Sequence, residues 1–441
     1  MSKIALVPPV PPATDPNDPR YWDARDLEQE MRRSFEICHG CRMCVGYCGT
    51  FPDVFARVDR DIEKKGATGA ELLDDAAFKT ASDLCWQCKL CYVKCPYTKD
   101  EGHEWMLDLP RLLLRDKAQR AKRNGVTLQD RVLGEPQALG KMTAGPMARV
   151  ANLVNANRLV RKTMSAVAGI SEHFPLPPYG ATSFAGWLKH HDPLPEAGTR
   201  GTVALFATCL ADYNFPRIAA CAVRVLEKNG WSVVRPEQTC CGMPNLDGGD
   251  VDAAREKVRL NVASLIGEVE AGRRIVSLQP TCGYMVRKEW PELLGGADAR
   301  RVAEATLDVM ELLEQHRKDK TLVKGFERGL GKVAYHAACH LRAQKIGFPA
   351  VRVLSLLPDT EIDVVEQCSA VDGTWGMKTQ YYEMGKRYAQ KMVRGIEAAE
   401  PKRVVTDCAL SARRILGETG HAPLHPVEAL AEAYGIAPDV G

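Results

Sequence analysis

The sequence predicts a multidomain chain of mixed α+β and α/β class: a helical cysteine-rich module, a helical connector, and two repeated α/β units. Three observations carry that expectation. Eight of the 16 cysteines fall in two short runs of one spacing, a basic stretch without cysteine follows, and short β-rich runs leading into a cysteine and then a helical segment recur through the second half.

The bulk numbers set bounds. With 441 residues and 45% hydrophobic content the chain can fill two or three packed domains. A formal charge of +3 is too near balance to draw nucleic acid as a partner, and none is expected. Residues 1–21 are broken by prolines and lack an apolar core, so they read as a flexible arm rather than an export signal. No stretch reaches the roughly 18 apolar residues of a bilayer-spanning helix. The expected location is the cytoplasm, where thiols stay reduced and clustered ones bind metal.

The cysteine-rich module occupies residues 22–103. Cys38, Cys41, Cys44 and Cys48 read C-x2-C-x2-C-x3-C, and Cys85, Cys88, Cys91 and Cys95 repeat that spacing, with Pro96 after the second run. This is the spacing of a two-cluster bacterial ferredoxin, in which three close thiolates wrap one face of a cubane and the fourth reaches the other cluster. Cys38, Cys41, Cys44 and Cys95 are therefore assigned to one 4Fe-4S cluster, and Cys85, Cys88, Cys91 and Cys48 to a second. Structural zinc takes two cysteines from each of two knuckles, and two fourfold runs exceed that need. An insert at residues 49–84, longer than in compact ferredoxins, offers a recognition surface. His39 and Trp86 are expected to pack beside a cluster, because thiolates already fill its sites.

The connector, residues 104–200, is basic. Between Arg111 and Lys162 cations such as Arg115, Arg120, Arg149, Arg158 and Arg161 outnumber Asp116, Asp130 and Glu135. The segment from Met147 to Ile170 sets Val150, Val154, Met164 and Val167 at helical spacing among those cations. That pattern suits a helix lying on the anionic inner face of a cell membrane, a peripheral contact. It equally suits a helix pair packed on its own protein, the preferred reading because most amphipathic helices bury their apolar face that way.

The α/β units are read as residues 201–328 and 329–441. Strands are expected at Thr202–Phe206, Arg274–Leu278, Lys332–Tyr335 and Arg403–Thr406, and the charged segment Glu311–Arg328 is the expected boundary. Cys209, then Cys240 and Cys241, then Cys282 mark the first unit; Cys339, Cys368 and Cys408 reproduce the steps in the second. Cys221, alone in the amphipathic run Pro216–Lys228, is expected to be a small core residue.

Cys240-Cys241-Gly242, with Ala207-Thr-Cys209-Leu upstream and Pro280-Thr-Cys282-Gly283 downstream, resembles the CCG domain found in heterodisulfide reductases and in the iron-sulfur subunit of anaerobic glycerol-3-phosphate dehydrogenase. Cys-Cys-Gly-Met-Pro, His336-Ala-Ala-Cys339-His340-Leu-Arg and Gly373-Thr-Trp-Gly376-Met-Lys extend the likeness over nearly the whole chain. The Cys-His-Gly-Cys-Arg-Met-Cys opening and the long insert are similar to a heterodisulfide reductase-related branch associated with rubrerythrins. The resemblance implies an iron-sulfur cluster at Cys209, Cys240, Cys241 and Cys282, although Met285 stands where the fifth cysteine of a full motif would be. In the second unit Ser369 and Ser411 replace two cysteines. Cys339, Cys368 and Cys408 then leave a first shell to be completed by His340 or His336, in a cluster or a zinc site, or else the unit is a structural half without metal.

The function this implies is an iron-sulfur electron-transfer subunit of an oxidoreductase. It would relay electrons between a partner, a flavoprotein dehydrogenase or a diiron rubrerythrin-like protein, and an acceptor such as quinone or a thiol/disulfide. The alternative is a catalytic heterodisulfide-reductase-like enzyme. No Gly-rich dinucleotide fingerprint joins a strand to a helix, so neither flavin nor NAD is expected on the chain itself.

Overall fold

The computed structural model describes residues 4–440. The chain divides into two compact units: one runs up to Arg131 and includes Pro244–Ala254, and the other comprises Val132–Met243 and the chain from Arg255 onward.

The first unit is helical. Helix α1, Ala24–Cys41, starts at Asp23, whose carboxylate accepts from the backbone N–H groups of Arg25 and Asp26. Helices α2 (Thr50–Lys65), α3 (Asp75–Leu84), α4 (Leu90–Lys94) and α5 (Leu109–Asn124) follow. Their apolar faces meet around Met31, Phe35, Val54, Phe55, Val58, Phe78 and Leu113, all buried. The 49–84 insert is thus α2 and α3, and one face of each is committed to the core. The segment before α1 is tied down at intervals. Arg33 donates to the carbonyl of Leu6 at 2.6 Å, Trp22 donates to that of Pro16 at 3.0 Å, and Ala13 and Tyr21 are buried.

Two parallel sheets form the second unit. Strands β1 (Gly201–Phe206), β2 (Trp231–Val234), β3 (Ile275–Ser277) and β4 (Thr306–Asp308) lie in the order β2-β1-β3-β4. Strands β5 (Gly331–His336), β6 (Thr360–Val365) and β7 (Arg403–Thr406) lie as β6-β5-β7, the same order with its last strand missing. The four strands expected from sequence are the central and inner ones, where β-branched runs are buried. β2 and β6 are edge strands, and β6 carries the exposed Glu361.

One apolar core joins the two repeats. Leu205 and Val276 of the first sheet share it with Val333, Tyr335 and Val405 of the second. Ala334, on the opposite face of β5, enters a separate core with Met392 and Ile396, as strand alternation requires. Cys221 lies fully buried in the joint core, on the helix Pro216–Lys228. Glu311–Lys318, expected to be a boundary, is most of the helix Val309–Lys318, which buries Leu312 and Leu313 in that core.

The connector's cations divide by role. Arg115 is fully buried in the first unit, where it donates to the carbonyl of Tyr21 at 2.8 Å and pairs with Asp26 at 2.7 Å. Arg161, in the second unit, is buried and donates to the carbonyls of Ser171 and Phe174. Arg149, Arg158 and Lys162 are exposed on the helices Ala148–Ala156 and Arg158–Ala168. No helix among the described residues is long and apolar enough to cross a membrane.

Candidate metal centres

In the first unit the two cysteine runs fold onto each other. Cys38, Cys41, Cys44, Cys91 and Cys95 line one cavity. Burial pushes the Cys38 thiol far up, and the neighbouring charges of Cys95, Cys44 and Cys41 push it further. Burial likewise takes Cys48 to about 12, with Cys85 as the neighbouring charge that adds to it. Cys91 is raised by burial and by Cys85, Cys48, Cys44 and Cys38, in that order. The fourth cysteine of each run therefore lies among the first cysteines of the other. Cys88 is buried beside them in sequence.

The loops between the cysteines show how this is done. Arg42, Gln87 and Lys89 adopt left-handed backbone conformations (φ 52°, 53° and 61°), unusual for residues other than glycine. Each stands between two cysteines of a run and curls the chain so that successive sulfurs turn inward. Gln87 donates to Cys85 Sγ from its backbone and from its side chain, both at 3.4 Å. His39 bonds Asp59 at 2.8 Å and meets Phe55 edge-on, while Trp86 is buried.

In the second unit all the motif cysteines follow the C-terminal ends of parallel strands. Cys209 follows β1, Cys240 and Cys241 follow β2, and Cys282 follows β3. Since β2 and β3 flank β1 on opposite sides, these thiols meet at the point where the winding reverses, the crevice that open α/β sheets use for ligands. Cys209 Sγ and Cys240 Sγ are 4.0 Å apart, well beyond disulfide length. The thiol of Cys209 is raised by its hydrogen bond to Cys240, and that of Cys240 is lowered by hydrogen bonds from Cys209 and then Cys241.

The backbone of this site is clamped by side chains that no motif reveals. Gln137 Oε1 accepts from the Cys240 N–H at 2.6 Å, Asn261 donates to the Cys240 carbonyl at 3.1 Å, and Trp290 donates to the Cys241 carbonyl at 2.9 Å. Thr208, just before Cys209, has φ 72°, a strained position for a β-branched residue. Met285, in the place of the fifth cysteine, is fully buried at the start of a π-helical turn, Met285–Glu289.

The second repeat repeats the placement. Cys339 follows β5, Cys368 follows β6 and Cys408 follows β7. The two serines that stand for cysteines are buried and bond each other, Ser369 Oγ to Ser411 Oγ at 2.9 Å. His336 is spent as well. Its Nε2 donates to the Gln367 carbonyl at 3.1 Å, so Nδ1 accepts from Thr406 at 2.9 Å, and burial holds its pKa down at about 4. His340 has a different setting: its ring stacks on Tyr284 and its Nε2 faces Asp372.

Donor chemistry fits a cationic group at the first two thiol sets and at the Cys209 set. Buried, mutually repelling thiols stay protonated unless a metal compensates the thiolates, and Cys85, Cys368 and Cys408 already accept backbone N–H bonds of the kind that stabilise a ligated sulfur.

This chain is a member of the CCG-domain iron-sulfur proteins. The model of the cysteine-rich CCG domain matches residues 203–287 and 333–410, and that of the citrate utilization protein B Fer4-like domain matches 31–123. The chain is similar to the C-type subunit of anaerobic glycerol-3-phosphate dehydrogenase from Escherichia coli, 28% identical over 311 residues, 70% of this chain and 77% of that one. The glycolate oxidase iron-sulfur subunit of the same organism is 24% identical over 408 residues, 86% of this chain and 91% of its own. The lactate utilization protein A of Geobacillus kaustophilus is 27% identical over 217 residues, 47% of this chain and 87% of its own.

Proposed function

We propose that this chain is the electron-transfer subunit of an oxidoreductase, holding two 4Fe-4S clusters on its N-terminal cysteines and a third iron-sulfur cluster on Cys209, Cys240, Cys241 and Cys282. The supporting observation is the gathering of those four cysteines at the winding reversal of the first sheet, with their backbone held by Gln137, Asn261 and Trp290. When bound, such clusters supply one-electron chemistry, and their potentials follow hydrogen bonds to sulfur and solvent access. Cys38, Cys41, Cys44 and Cys95 would hold one N-terminal cluster, and Cys85, Cys88, Cys91 and Cys48 the other. Gln87 would ease addition of an electron by donating to Cys85 Sγ, and buried Trp86 would keep water away.

Relatives named as subunits of glycerol-3-phosphate dehydrogenase and glycolate oxidase support a partner redox protein, of flavoprotein or rubrerythrin-like type, and an acceptor such as a quinone or a thiol/disulfide. Buried Met285 removes the fifth thiolate of a full motif, which weighs against the catalytic disulfide-reductase alternative. Anaerobic iron and sulfide analysis tests the reading: about 12 irons per chain fit three clusters, and about eight leave only the N-terminal pair.

A specific observation also supports a peripheral membrane contact. The helix Ala148–Ala156 and its preceding turn expose Met147, Val150, Leu153 and Val154 on one face, and Leu159 and Val167 continue the exposure on the next helix. Exposed Arg149, Arg158 and Lys162 border them. Apolar side chains flanked by cations suit the interface of an anionic bilayer.

A further inference from the structure

We infer that the second repeat holds a single divalent ion of the zinc class, bound by Cys339 Sγ, His340 Nε2 and Asp372, with Cys368 or Cys408 supplying the fourth donor. The inference goes beyond the electron-transfer reading and uses none of the twelve cysteines assigned there to clusters.

One ligand atom from each of Cys339, His340 and Asp372 lies within 4.8 Å of the others. His340 Nε2 and Asp372 Oδ1 are 3.7 Å apart, and both side chains are almost completely buried. That distance is too long for a hydrogen bond. It is near the edge of a ligand tetrahedron, about 3.4 Å for bonds of about 2.1 Å. A buried imidazole and carboxylate held at this spacing are placed to share an ion.

The surroundings of His340 are those of a metal ligand. Its Nδ1 shares a hydrogen bond with Thr281 Oγ1 at 2.9 Å, and the ring stacks on Tyr284 with centroids 5.2 Å apart. A bond at Nδ1 fixes ring and tautomer and leaves the Nε2 lone pair for a cation. The other nitrogen and oxygen candidates are accounted for: both nitrogens of His336 are bonded, and Ser369 and Ser411 bond each other.

Asp372 is brought in by a strained loop. Ala370 and Asp372 both have positive φ, 48° and 32°, and Gly376 allows the turn because a Cβ there would meet the Ala370 carbonyl at 2.5 Å. Among the charged groups acting on Cys339, Asp372 ranks first, followed by Cys368 and Cys408, so the remaining thiols face the same point. The donor set of thiolate, imidazole and carboxylate is that of zinc.

The test is metal analysis of the full chain purified anaerobically from medium containing zinc and iron, with zinc, iron and sulfide measured on the same samples. About one zinc per chain, surviving gel filtration, is expected, and Asp372→Ala should lose it with iron and sulfide unchanged. Thr281→Val, which leaves every donor in place, should weaken zinc in chelator competition by roughly 10- to 100-fold. Cobalt substituted for zinc should give the visible bands of a tetrahedral site with thiolate ligands, readable without any variant. Wild-type protein without zinc, an Asp372→Ala variant that keeps it, or loss of about four irons on that substitution would each overturn the inference. An iron count of about eight, with zinc present, would sink the third cluster and leave the zinc site standing.

Discussion

The indole N–H of Trp290 donates to the backbone carbonyl of Cys241 at 2.9 Å, and the ring is fully buried edge-on to Phe206. This bond fixes the second of the adjacent cysteines from a segment far along the chain. Trp290→Phe keeps most of the packing and leaves the carbonyl without its donor, a cost of about 1–3 kcal/mol. The expected result is a lower melting temperature together with partial loss of iron from the Cys209 set. A variant that melts early and retains its full iron would show that Trp290 serves the fold alone.

Cys209 and Cys240 approach to 4.0 Å at the strand ends, whereas the eight N-terminal cysteines belong to the other unit. Cys209→Ala should therefore remove about four irons and leave about eight, since each cubane carries four. Anaerobic iron analysis and EPR of the reduced protein read the two populations separately. Loss of all iron would show that the sites do not assemble independently.

Much of this arrangement is legible in the sequence because cluster ligation is written in short spacings. Three cysteines of each run must come from one turn of chain, and Cys240-Cys241-Gly242 is a local string. The strands beginning each repeat are legible for a related reason: buried central strands are runs of Val, Ala, Leu and Tyr, and period and composition agree. What spacing cannot show is the second ring of support. Gln137, Asn261, Trp290 and Thr281 come from four different segments and carry no motif. Asp372 is equally silent, since a carboxylate ahead of a glycine reads as an ordinary turn. Strand β4 is only Thr306–Asp308, too short to give a period.

Asp308 opens the helix Val309–Lys318 by accepting from the Met310 N–H at 2.8 Å, and burial, aided by the charge of Asp407, pushes its pKa up to about 8. An unfolded aspartate titrates near 3.9, so between about pH 4 and pH 8 the folded chain keeps a proton that the unfolded chain has released. The contribution to stability is therefore full below that window and is lost as pH rises through it. Asp308→Asn preserves the cap and removes the titration. The variant should melt close to wild type near pH 5 and gain on it steadily toward pH 8, as thermal melts across pH would record. Parallel pH profiles would show that Asp308 titrates normally.

Leu153 and Leu159 are 73% and 75% exposed, more than any packing within the second unit explains, and exposed Arg149, Arg158 and Lys162 lie close to them in sequence. A soluble surface gains nothing from such leucines, whereas the headgroup boundary of a bilayer accepts apolar side chains and rewards each nearby cation by about 1 kcal/mol when the lipid is anionic. The two contributions separate experimentally. Wild-type protein should float with anionic vesicles at low salt and float less as ionic strength rises, because screening weakens the cations and spares the leucines. Leu153→Glu with Leu159→Glu should stay at the bottom at every salt concentration, yet melt like wild type, since neither side chain contributes to a core. Wild-type protein that remains at the bottom with anionic vesicles would assign these leucines to contact with another protein.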